Sequence, residues 1–175
     1  MAAVNPVLAL VSRADALANG AFGARLMPGF QHVYQQMLPV VDAVAQLHPD
    51  DEQCEPYVRI IRDGLMAMEQ HTEEMVNMLY NVDVLTAPSA TQSVAGFNPQ
   101  EALAHISDLF HVRTPTYLRQ SYQAELLVKR ESFADYTCEE ISPAQFAQQW
   151  RTLNEVDHGR KQEMDDLADL LANFG

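Results

Sequence analysis

Tyr57, Ile61, Leu65, Met68, Thr72, Met75 and Leu79 follow one another at alternating steps of four and three residues. At 3.6 residues per turn this spacing gathers them into one stripe along a helix. All but Thr72 are apolar or aromatic, while Arg59, Arg62, Asp63, Glu69, Glu73 and Glu74 occupy the remaining face. A strand cannot carry a pattern of this length and period. The stretch Pro56 to Tyr80 is therefore expected to be an amphipathic helix that needs other helices to cover its apolar side. The rest of the chain reads as their supply, which makes the expected fold all-α.

A chain of 175 residues is expected to form a single helical domain over 1–175 and can bury roughly two-thirds of its unfolded surface without staples. Its net charge is −13, from 24 acidic against 11 basic residues. That balance argues against a surface for nucleic acid, where phosphates demand clustered Lys and Arg, and against anionic membranes. The N-terminal stretch has short apolar runs interrupted by Arg13 and Asp15, and it has no preceding basic segment, so it reads as neither a signal peptide nor a membrane span. Two cysteines, Cys54 and Cys138, can make one disulfide at most, and a reduced, cytoplasmic chain is the expectation.

Proline punctuates the chain. It follows a helix-capping residue at Asn5-Pro6, Asn98-Pro99, Thr114-Pro115 and Ser142-Pro143. Proline suits the first helical position because its missing N–H would have no partner there. Glu101 and Gln145 supply the third element of a capping box after Asn98 and Ser142. The expected helices run from Pro6 to Ala18, from about Phe30 to Leu47 with a kink at Pro39, and through the central stretch. Further helices are expected from Asn98 to His111, from Thr114-Pro115 to about Phe133, and from Pro143 to about Asn173. That is a multi-helix bundle of about five or six helices. Residues 81–97 lack helical periodicity and read as a long crossover loop, and Ala134 to Ile141 as an acidic loop.

The last helix has an apolar stripe at both ends and a polar middle. Phe146, Trp150 and Leu153 give way to Asp157 and Arg160 before Met164, Leu167, Leu171 and Phe174 resume it. Gly159 lies in that middle and makes a bend there plausible. Glu155 and His158 are three apart, so both can face one metal ion. Ferritin-like di-metal bundles use this spacing twice, together with glutamates from two other helices. Companions here would be Glu125 on the preceding long helix and Glu69, His71 or Glu74 on the central one. The second Glu-x-x-His is absent; His71 and Glu74 offer only the reversed order. The competing reading leaves Glu155 and His158 in solvent or paired with Arg160 and Lys161.

Other chemistry finds little footing. The sequence has no Cys-x-x-Cys, no Gly-rich phosphate loop and no Gly-x-Ser-x-Gly. Met68 and Met75 sit on the central stripe as core residues, whereas Met66 and Met78 lie at its shoulders, where methionine can also form an adaptable contact surface. Leu167, Leu170, Leu171 and Phe174 could dock a neighbouring subunit. The expectation is a non-enzymatic helical binding or assembly protein, with a protein partner or self-association, no cofactor, no nucleic acid and no membrane. The alternative is a ferritin-like di-metal carboxylate bundle, for metal binding or as an oxidase, holding iron or manganese through Glu155, His158, Glu125, Glu74 and His71.

Overall fold

The computed structural model describes residues 16, 25–47, 52–86 and 116–173. The regular elements among them are helices: α1 (Met27–Val44), α2 (Cys54–Thr86), α3 (Thr116–Thr137), α4 (Pro143–Trp150) and α5 (Asn154–Asn173). The described residues contain no strand, and the fold is all-α as its periodicity requires. Among them no helix is long and apolar enough to cross a membrane. The expected helices at 6–18 (apart from Ala16) and 98–111, the Thr114-Pro115 cap and residues 87–97 lie outside the described residues.

Of the central stripe, Ile61, Leu65, Met68, Thr72 and Met75 face the core as expected, and Tyr57 is half-buried against it. Thr72 is tolerated there because its hydroxyl donates to the carbonyl of Glu69 in its own helix, at 2.7 Å. Met78 also turns inward, while Met66 stays exposed, so the two shoulders have different fates. The helix runs to Thr86, past the expected end at Tyr80. Residues 81–86 of the supposed crossover are therefore helical. Nothing between Tyr80 and Thr86 is Pro or Gly, so nothing local stops the turn.

On α1 the buried residues are Phe30, Tyr34, Met37, Val41 and Val44. Val33, beside Tyr34, is half-buried against the same core. Helix α1 continues through Pro39 without interruption. Pro39 and Gln35, whose carbonyl loses its partner, are both on the exposed side, where water can serve that carbonyl. Helices α1 and α2 are antiparallel: Arg25 pairs with Glu74 at 3.3 Å, Gly29 lies against His71, and Met37 against Gly64. Helix α3 runs antiparallel to α2, with Arg130 bonded to Glu69. It extends to Thr137, beyond the expected end at Phe133, because Tyr136 is also a core residue and stacks on Phe146 with centroids 4.7 Å apart. The helix then closes in a left-handed turn at Glu139 (φ 60), where the N–H of Glu140 reaches the carbonyl of Asp135 and that of Glu139 the carbonyl of Tyr136.

The expected helix from Pro143 to Asn173 is two helices. Its start is as read: Ser142 caps α4, Gln145 completes the capping box, and Pro143 opens the first turn. The interruption falls at 151–153. Gly159, where a bend was expected, is an interior, buried residue of α5. Helices α4 and α5 together run back along α3, Phe146 meeting Tyr136 and the α5 start meeting Glu125. The packing α1 on α2, α2 on α3, α3 on α4 and α4 on α1 closes a ring, and α5 joins it chiefly through α3.

The α1–α2 approach depends on its glycines. A Cβ at Gly29 would come within 2.6 Å of the His71 ring, and one at Gly64 would strike the flexible side chain of Met37. We expect Gly29→Ala to lower stability by about 1–2 kcal/mol in urea unfolding, overpacking of about 1–3 kcal/mol being partly offset by the better helix propensity of alanine. Gly64→Ala should cost less, because the thioether can swing aside.

Candidate functional site

The break between α4 and α5 leaves helix ends inside the protein, and unpaired backbone groups there would be costly. At the α4 end, the carbonyls of Gln149, Trp150 and Thr152 need donors. Lys129 of α3 donates to the carbonyl of Gln149 at 2.8 Å and to that of Thr152 at 2.5 Å. Tyr34 of α1 donates its hydroxyl to the Trp150 carbonyl at 2.7 Å. The third proton of the Lys129 ammonium goes to Glu125, one turn earlier on α3, at 2.9 Å. Every donor of this ammonium is thus used.

Glu125 in turn serves the α5 end. The first intrahelical bond of α5 runs from the N–H of Asp157 to the carbonyl of Leu153, so Leu153 holds the capping position with no polar side chain to offer. Glu125 Oε2 replaces it, accepting from the N–H of Glu155 at 2.9 Å and of Val156 at 3.5 Å. These are the two N–H groups that an N-cap side chain normally serves. The carboxylate also suits the positive end of α5, and the ammonium suits the negative end of α4. Both side chains are only 1% exposed. Around them, Ser132 donates to the Gln149 side chain at 2.5 Å, and Asp42 of α1 holds Arg151 at 2.8 Å on the surface. The Lys129 ammonium lies 5.8 Å from the centre of the Tyr34 ring.

Burial sets the protonation behaviour of this centre. Loss of water pushes the Lys129 ammonium below its ordinary 10.5, and the bond and charge of Glu125 pull it part of the way back. Burial pushes the Tyr34 hydroxyl up to about 12, assisted by the charges of Glu125 and Asp157. Tyr136 is likewise raised to about 12 by burial and by its neighbour Cys54. Tyr122 rises for the same first reason, opposed by Arg160. Cys54 is buried and Cys138 exposed, and neither is in a disulfide.

The five residues read as a metal set are split by this arrangement. Glu125 meets Glu155, but through the backbone N–H of Glu155, and both Glu125 oxygens are engaged. His158 and Asp157 are exposed, and Glu155 is half-buried. His71 packs against Gly29 of α1, its Nδ1 buried without a hydrogen-bond partner. Glu74 pairs with Arg25 and accepts from Gln70, each at 3.3 Å. Among the described residues no three His, Cys, Asp or Glu side chains come together as the ligands of one ion.

A second feature lies between α2 and α3 on the surface. An open groove of about 590 Å³ runs beside Thr72, Val76, Gln123, Leu126 and Leu127. A smaller one of about 210 Å³ lies against Leu65, Met66 and Phe133. The two share Glu69 and Arg130, whose ion pair crosses between them at 2.5 Å. Met66 and Leu127 are 62% and 56% exposed at its edges. The sequence reading named Met66 as a shoulder residue but missed Leu127 and the capping role of Lys129. The visible signal for Lys129 was a Glu-to-Lys step of four set into the apolar stripe of α3, among Tyr122, Leu126 and Phe133. No protein family matches the chain, and neither a curated protein nor a solved structure matches it.

Two outcomes follow from this centre. Lys129→Met should cost up to about 3–5 kcal/mol in urea unfolding, because it strands a buried carboxylate. The exchanged pair Glu125→Lys with Lys129→Glu should be no better, since carbonyls would then face a carboxylate and N–H groups an ammonium; recovery of stability in that double variant would refute the capping role. The tyrosines govern the alkaline limb. Unfolded chains lose phenolic protons near pH 10, while folded Tyr34 and Tyr136 keep theirs to about 12. Their contribution is therefore complete below pH 10 and is lost as pH rises through that window. Tyr34→Phe should flatten the fall of unfolding free energy between pH 10 and 12, as read in urea titrations at stepped pH.

Proposed function

We propose that the protein is a non-enzymatic helical binding or assembly protein, an adaptor, chaperone or inhibitor-like component of a complex, whose contact face is the α2–α3 groove. The observation that carries this reading is the groove itself, with Met66 and Leu127 left exposed along it. From Arg62 to Asn77 it follows α2 for about 22 Å, the length of an amphipathic helix of some fifteen residues. Its charged lining, Arg62, Glu69, Glu73 and Arg130, sums to zero on a chain of net charge −13. A neutral, partly apolar strip favours a protein helix as partner over a polyanion or an anionic lipid surface. The methionine at its edge can adapt to the partner's side chains. The partner is a second protein or a second copy of the chain, and the setting is the cytoplasm.

The test compares wild type with Met66→Glu/Leu127→Glu, by light scattering on the eluted peak and by affinity capture. The wild type should be an oligomer or retain one partner in fixed ratio. The double variant should lose that association while keeping its helical circular dichroism and its Tm. A wild type that is monomeric and captures nothing, or a partner retained equally by the variant, overturns the reading. Stoichiometric iron or manganese in the purified protein would move it to the di-metal carboxylate bundle.

A further inference from the structure

We propose that the α4–α5 break is a latch and α5 a detachable helix: when Glu125 or Lys129 loses its charge, α5 lifts from α3 while α1 to α4 remain assembled. The argument begins with packing. Helices α1, α2, α3 and α4 each touch two others in a closed ring, and α5 rests chiefly on α3. The aromatic cluster of Phe133, Tyr136, Phe146 and Trp150 belongs wholly to the ring. So do Phe30 and Tyr122, in edge contact at 5.0 Å. None of these contacts is made by α5.

Among the described residues α5 lies chiefly along α3, with Val156 its residue in the core cluster and Arg160 on Tyr122, and its start is held by one carboxylate. Glu125 binds two N–H groups in the first turn of α5 on one oxygen and Lys129 on the other. Neutralising either partner leaves the other charge buried without its counter-ion, and such a charge must reach water or be lost. The least disruptive route to water is to move the helix with the fewest partners among the described residues. Lifting α5 opens Glu125 and its N–H partners to solvent and leaves the carbonyls of Gln149 and Thr152 beside Lys129. Opening the ring instead would expose the aromatic core.

None of the other groups that face the pair replaces a lost partner. From α1, Tyr34 holds the Trp150 carbonyl and stays protonated to about 12. From α5 come Asp157 and Arg160, 3.8 Å apart, Arg160 bonding Tyr122 on α3. From α4 come the uncharged Gln149 and Trp150, and α2 meets α3 at the surface pair Glu69–Arg130. Glu125 and Asp157 both act by charge on the Tyr34 hydroxyl, and loss of the Glu125 charge removes the ammonium's partner without creating another.

Hydrogen–deuterium exchange on the full chain tests this, with peptides from residues 154–173 compared with those from α1 and α2. In Lys129→Met we expect the acceleration of the α5 amides over wild type to exceed that of the α1 and α2 amides at least tenfold. Glu125→Gln, which keeps the shape and one acceptor, should show the same selectivity at smaller amplitude, and it decides the matter if Lys129→Met does not fold. Gly29→Ala, which weakens the α1–α2 contact, should not single out α5. The proposal is overturned if α5 exchanges no faster than α1 and α2 in Glu125→Gln, or if Gly29→Ala loosens α5 to the same extent.

Discussion

One buried ammonium and one buried carboxylate hold the interruption between α4 and α5. Without them the chain would have to bury several carbonyls and N–H groups unpaired, at a cost comparable to the whole stability of a small domain. Lys129 uses its three protons on Glu125, Gln149 and Thr152, and Glu125 spends its second oxygen on the start of α5. The pair is favourable because each charge meets the helix end of opposite polarity. An ion pair alone would scarcely repay the loss of hydration. Here the backbone supplies the additional partners that change the balance.

The same centre orders what surrounds it. Tyr34 spans from α1 to the last carbonyl of α4, that of Trp150, and Asp42 grips Arg151 just outside. These contacts fix α4 against α1 and close the helical ring. Helix α2 enters the ring by close approach: Gly29 makes room for the His71 imidazole and Gly64 for Met37. That closeness draws α1 and α2 together on one side. On the other side α2 and α3 diverge enough to leave a groove bridged by Glu69 and Arg130. The groove is the face we propose for a partner, and the α4–α5 break is the part we propose to open. They lie on different faces of α3, since Leu127 and Arg130 face outward while Glu125 and Lys129 face inward.

Much of the scaffold was legible beforehand. The stripe of α2 was visible because its period persists for six turns, and Ile61, Leu65, Met68 and Met75 are core residues. The Ser142 capping box was visible because it is a local interaction within four residues. Helix ends without such local signals were misplaced. The α2 terminus at Thr86 and the α3 terminus at Thr137 depend on packing beyond the window that a periodicity can sense. The candidate site fared less well. Glu125, Glu155 and His158 were noticed for their spacing, but spacing within one helix says nothing of what a second helix brings. The carboxylate of Glu125 meets backbone N–H groups where metal ligation had been the alternative.

The amino-acid order by itself determined that this chain forms helices, which of their faces turn inward, and where α4 begins, because these follow from hydrophobic period and capping within a few residues. Only tertiary structure decided that the last helix breaks at 151–153 and that a lysine belongs in the core. No residue near the break signals an ending strongly enough alone. It is stable because Glu125 and Lys129, more than twenty residues earlier in the chain, arrive with the acceptor and donors that its two helix ends lack.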